Sequence, residues 1–168
     1  MGVMEKIILT LILSVFVVAL GCTKPKGNYT EKLKEGCVEA TITGIKLDIG
    51  RLENYLVLPD LQNKAQVEAH LSKLYEDLKK YQNMRIEEYA LPQPLHIRGY
   101  INEPYVVNTI IYLEKQSMSG PFYHAVKVMD DRGAEIKPKE IYEFTIYPLY
   151  RRYYPFEDWY VLIESFEK

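Results

Sequence analysis

Hydrophobic positions fall into three regimes along this chain, and each predicts a different kind of element. The first is unbroken. After Lys6 the residues Ile7–Leu20 are almost wholly apolar, and Gly21-Cys22 follows. The second is periodic. Val38, Ile42, Ile45, Ile49, Leu52 and Leu56 are spaced 4, 3, 4, 3, 4, which is the seam of an amphipathic helix. Within it Cys37–Thr43 also alternates like a β-branched strand, but that reading must break parity at Gly44. Helix is therefore the prediction for this region, although Gly36, Gly44 and Gly50 each cost it about 1 kcal/mol against alanine. Pro59-Asp60 ends the element. Asn63-Lys-Ala-Gln66 has the form of a capping box, and Val67, Leu71, Leu74, Leu78 and Tyr81 line one face of a second helix that stops near Asn83.

The third regime is short and alternating. Met84–Tyr89 and Leu95–Ile101 read as strands joined through Ala90–Pro94. Asn102-Glu-Pro104 reads as a helix start, with Val107, Ile110 and Ile111 carrying the helix to about Gln116. Phe122–Met129 and Ile141–Pro148 are strand-like around an Asp130–Gly133 turn, and Trp159–Phe166 is a last strand. The order predicts an α+β fold: a helical pair, then a small, mostly antiparallel sheet. Asn63–Tyr150 would suit a ferredoxin-like unit. An Ig-like sandwich over Leu95–Phe166, with Pro104–Gln116 extended as a strand, is the alternative. The expected divisions are a signal or anchor at 1–21, a tether at 22–29, a helical region at 30–83 and an α+β domain at 84–168.

The opening run, 14 residues from Ile7 to Leu20, is short for a spanning helix, which needs roughly 20, and suits the core of a signal peptide. Ala19-Leu-Gly-Cys22 resembles the lipobox of a bacterial-type lipoprotein precursor, which implies cleavage before Cys22 and lipidation of its thiol. It lacks the usual leucine three residues before the cysteine. The alternative is an uncleaved anchor, and Lys24 and Lys26 beyond the run oppose it. Either way the expected location is a cell membrane, with residues 23–168 facing the periplasm or exterior.

In its later part the chain resembles the periplasmic inner-membrane assembly proteins of type IV pili and type II secretion, the PilO and GspM group. The residues that carry the likeness are Leu52–Pro59, the Val67–Tyr81 helix, and Leu95–Ile101 with the segment ending Tyr112-Leu-Glu-Lys115. The resemblance implies a non-catalytic scaffold that pairs with a protein partner, or with itself, through the helical seam and the sheet. The short N-terminus and the lipobox-like site depart from that pattern.

Charge and chemistry narrow the function further. A formal charge of −2 from 21 basic and 23 acidic residues, with no basic stripe, disfavours a nucleic-acid partner. His70, His96 and His124 sit on separate elements without metal spacing, so no metal or other cofactor is expected. Cys37 reads as a buried small hydrophobe. The carboxylate pairs Glu76-Asp77, Glu87-Glu88 and Asp130-Asp131 are adjacent in sequence and do not form an acid–base couple. No catalytic motif is present, and the chain reads as non-enzymatic. One stretch rises above this background: Tyr147–Tyr160, rich in aromatics and arginine, the types favoured in binding surfaces. Tyr147, Tyr150, Arg151, Arg152, Tyr154 and Trp159 are its candidate binding residues, for a glycan or a peptide held by a lipoprotein binding module.

Overall fold

The computed structural model describes residues 26–59, 61–115, 121–129, 135–152 and 158–168. The opening apolar run, Cys22, the Asp130–Gly133 turn and Tyr154 lie outside the described residues. Glu31–Lys168 forms one unit in itself.

Helical periodicity wins over strand alternation in the first element: α1 runs Lys26–Leu56. Its mid-helix threonines, which could have favoured a strand, are satisfied within the helix. The Thr41 hydroxyl donates to the Cys37 carbonyl at 2.8 Å and that of Thr43 to the Glu39 carbonyl at 2.9 Å. The costly glycines have a packing reason at two of three sites. A Cβ on Gly36 would lie 2.6 Å from Met129 Sδ, and one on Gly44 would lie 2.8 Å from Tyr160 Cδ2. Both let α1 approach the sheet more closely than alanine would. Around Gly50 nothing lies within 4 Å.

The second helix, α2, spans Lys64–Gln82 and packs Val67 and Leu74 against the Ile45–Ile49–Leu52 part of α1. Asn63 precedes it as expected, but its side chain makes no capping hydrogen bond, so the capping box does not form. The helix ends where the Asn83 side-chain amide donates to the Lys79 carbonyl at 2.7 Å.

Five strands follow among the described residues: β1 Leu95–Tyr100, β2 Thr109–Leu113, β3 Tyr123–Val128, β4 Tyr142–Arg151 and β5 Trp159–Glu167. They close into a barrel in the order β1-β2-β3-β5-β4, with β4 pairing back to β1. Three antiparallel strands and a fourth that returns beside the first make a Greek key. β5 fills the remaining gap, parallel to β3 and antiparallel to β4. The α+β class therefore holds. A ferredoxin-like unit and an Ig-like sandwich do not, because the sheet closes on itself instead of staying open or stacking on a second sheet.

Two local expectations change with it. Met84–Tyr89 does not form a strand; a 3-10 turn at Ile86–Glu88 takes its place, since Ile86 and Tyr89 pack into the cluster beneath α1. The expected helix over Asn102–Gln116 is instead a turn followed by β2. Asn108 adopts φ 72°, which ends any helix, and the Thr109 hydroxyl closes the turn onto the Val106 carbonyl at 2.6 Å.

The barrel interior is filled by Ile111, Ala125, Phe144, Ile146, Val161 and Ile163, from alternate positions of the strands. Their neighbours Val126, Tyr160 and Leu162 point the other way and are equally buried, because Leu33, Cys37 and Val38 of α1 cover them. The helical seam expected to meet a partner is thus largely consumed within the chain. Val38, Ile45, Ile49 and Leu52 are all buried.

Candidate functional site

The end of the barrel where β4 passes to β5 carries an ionic cluster. Backbone pairing continues one step beyond the strands: the Arg152 amide donates to the Asp158 carbonyl at 2.9 Å, which brings the two side chains together. Register supplies the next member. His124 of β3 lies opposite Tyr160 of β5, with ring centroids 5.9 Å apart. The last comes from α1, whose Asp48 sits one position before Ile49 of the buried seam and faces the barrel.

The cluster is continuous. Arg152 donates from Nε to Asp48 Oδ1 and from Nη1 to Asp158 Oδ2, both at 2.8 Å. His124 Nε2 lies 2.7 Å from the same Asp158 oxygen, and the Tyr160 hydroxyl donates to Asp48 Oδ1 at 3.1 Å. The guanidinium also lies 5.4 Å from the centre of the Tyr160 ring. Arg152 is 3% exposed, Asp48 6%, His124 6% and Asp158 8%. A charge withdrawn from water so completely persists only when it is paired. Here one planar guanidinium serves two carboxylates, a task that suits the fixed fork of arginine.

The environment separates the two acids. Burial pushes Asp48 above the usual carboxylate range, against the pull of Arg152 and Tyr160. Burial pushes Asp158 in the same direction, but the hydrogen bond from His124 and the charges of Arg152 and His124 outweigh it and hold that carboxyl low. The Tyr160 hydroxyl is raised by burial and by Asp48. At neutral pH the phenol is therefore a donor.

Beside the cluster is a cavity of about 710 Å³. Arg51, Leu52, Asn54 and Tyr55 on the last turns of α1 form one wall. Ile110 and Tyr112 of β2, with Phe122 just ahead of β3, form the other, and His124, Arg152 and Asp158 join them. Strand alternation explains this set: Ile110 is paired with His124, so residues two apart on each strand share the outward face. The walls are mainly apolar, and three of the polar lining groups, His124, Arg152 and Asp158, are bonded together at one place. That is the usual make-up of a ligand site.

The described residues of the predicted binding stretch do not share one surface. Arg152 reaches the cavity. Tyr147 is buried under α1, and Tyr150 stacks on Tyr160 at 6.4 Å between centroids. Trp159 packs against the barrel core and Arg151 is exposed on the strand. Of the other histidines, His96 Nδ1 lies 3.1 Å from Thr145 Oγ1, and His70 is half-buried on α2. Sequence reasoning passed over Asp48, His124 and Asp158 as site residues. A carboxylate set between Ile45, Ile49 and Leu52 of an apolar seam was the available signal for Asp48. Nothing local marks the other two, which meet only through strand register.

Among the described residues no group of three or more His, Cys, Asp or Glu side chains could hold a metal, and no helix is long and apolar enough to cross a membrane. No protein-family model matches the chain, and neither curated proteins nor solved structures include a match to it. What the chain does must be argued from the cavity.

Proposed function

We propose that this protein is a membrane-held, non-catalytic binding module facing away from the cytoplasm, with its ligand seated between α1 and the β2–β3 face. The cavity carries the reading. Its volume, about 710 Å³, lies inside the range of roughly 300–1,000 Å³ for small-ligand sites. Arg51 and Arg152 are offset by Asp48 and Asp158, so the site favours a neutral glycan or peptide over a strongly charged ligand. The lipobox-like Gly21-Cys22 supports the membrane attachment.

A scaffold role in a pilus or secretion apparatus has less to stand on. The Val38–Leu56 seam is used internally, and a closed barrel presents few free strand edges for a partner to extend. The test uses the full chain in detergent micelles with neutral glycan and peptide libraries. Asn54 is exposed at the cavity wall, so Asn54→Trp fills the cavity and leaves the core alone. Ligand binding should be lost in that variant. Undiminished binding would place the ligand elsewhere and sink the proposal.

A further inference from the structure

From the groups that the last turns of α1 contribute to the cavity we infer that the ligand joins an aromatic ring, an amide and a free carboxylate, the chemistry of a peptide's C-terminal aromatic residue; this rests on the binding-module reading above. Arg51, Asn54 and Tyr55 stand at positions i, i+3 and i+4 of α1, and all three line the cavity. That spacing sets Asn54 and Tyr55 beside Arg51 on one helix face, with about 5–6 Å between Cβ atoms. A cation, an amide and a ring are thereby presented together within one turn.

Each group selects its counterpart. Tyr55 belongs to the helical wall of the cavity, Tyr112 and Phe122 to the strand wall. The β2–β3 register places Tyr112 beside Phe122, since Ile111 is paired with Tyr123. Stacking on Tyr100, with centroids 5.5 Å apart and planes 20° from parallel, holds the Tyr112 ring in place. Tyr55 and Phe122 are 37% and 43% exposed, so both rings keep surface for a partner. An aromatic ring entering between the walls gains stacked or edge-on contacts beyond the area it buries. Asn54 is exposed, and its side-chain amide carries donors and an acceptor, which match the C=O and N–H of a peptide group.

Arg51 selects the charge. Its side chain is 38% exposed, and Nη1 lies 3.9 Å from Asp48 Oδ1, the oxygen that accepts from Arg152 at 2.8 Å and from Tyr160 at 3.1 Å. A guanidinium has five N–H donors, and two of them suffice to grip a carboxylate in the bidentate manner. A peptide with both termini free is neutral as a whole, which agrees with the charge balance of the site. An aromatic residue inside a peptide would bring the ring and the amide but no anion for Arg51. A neutral sugar would bring neither the ring nor the anion. The C-terminal residue brings all three from one backbone unit.

The test titrates the full chain in detergent micelles, by calorimetry, with acetyl-diglycyl-phenylalanine bearing a free carboxylate. The comparison probes are its C-terminal amide, acetyl-diglycyl-leucine as the free acid, N-acetylphenylalanine and a neutral methyl glycoside. The phenylalanine acid should bind, roughly tenfold or more tighter than its amide and than the leucine acid. Arg51→Gln should bring the acid down to the level of the amide, and Asn54→Trp should abolish both; the acid-to-amide ratio of the wild type still decides if either variant fails to fold. N-acetylphenylalanine separates the sources. Affinity equal to that of the tripeptide acid assigns the site to a free acylated amino acid, and weaker affinity assigns it to a peptide terminus; both keep the inferred chemistry. Equal binding of acid and amide, or of the phenylalanine and leucine acids, overturns the inference. So does Asn54→Trp-sensitive binding of the glycoside or of the amide alone, which leaves the binding-module reading standing. If no probe of any class binds in the cavity, both fall.

Discussion

Alanine at two glycines of one helix should move stability in opposite directions. Gly44 and Gly50 both lie inside α1, where exchanging glycine for alanine gains about 1 kcal/mol from backbone entropy alone. At Gly50 no atom stands within 4 Å of the new methyl, so the gain should appear in full. At Gly44 the methyl would come within 2.8, 3.0 and 3.3 Å of Cδ2, Cγ and Cβ of Tyr160. That side chain is 0% exposed and cannot step aside. Its hydroxyl is tied to Asp48, Tyr150 stacks on the ring, and Arg152 and His124 pack against it. Overpacking of this kind costs about 1–3 kcal/mol, so mid-range Gly44→Ala should lose about 1 kcal/mol net. For a unit of this size each 1 kcal/mol moves the midpoint by about 2–4 °C. Thermal melts of the two variants beside the wild type should therefore show Gly50→Ala above it and Gly44→Ala below. If both variants gain equally, α1 does not lie as close to β5 as described, and the packing account of Gly36 and Gly44 fails with it.

Removing the shared cation should be more damaging than removing either acid. Arg152→Met leaves Asp48 and Asp158 buried without their guanidinium, and urea unfolding should show a loss of about 3–5 kcal/mol; a loss under 1 kcal/mol would mean the cluster is open to water. The two acids should oppose each other in pH dependence. Asp48, raised above its ordinary 3.8, contributes stability that is full below that pH and is lost as pH rises through its folded value. Asp158, held below 3.8, contributes stability present above that pH and lost as pH falls through its folded value. Melts from pH 3 to 7 should show the wild type losing ground to Asp48→Asn as pH rises, and losing ground to Asp158→Asn as pH falls; the reverse trend at either site contradicts the assigned environment.

The helices were legible because their evidence is local. A seam of six apolar residues and the stripe from Val67 to Tyr81 need only the 3.6-residue period, and α1 and α2 lie where those patterns put them. Strands β1, β3, β4 and β5 were similarly marked by alternation. β2 was misread because Ile110 and Ile111 fit either period, and the turn at Asn108 that decides between them depends on φ. Closure of the barrel was not legible. It requires β4 to pair with β1 and β5 to pair with β3, partners far apart in sequence that alternating residues do not name. The site followed from that closure. Arg152 was picked out for its composition-rich surroundings, whereas His124 and Asp158 became neighbours only once β3 and β5 lay side by side.

The position of β5 has a consequence for the order in which the chain can fold. Strand β5 is the last described, yet it supplies one edge partner to β3 and the other to β4, and its Tyr160 and Leu162 floor the groove that receives α1. Without these residues the sheet has two open sides and the first helix has nowhere to dock. A chain emerging N-terminus first therefore closes neither its barrel nor the cavity beside it until β5 is available. Its resistance to proteases should then arise in one late step, when β5 joins β3 and β4.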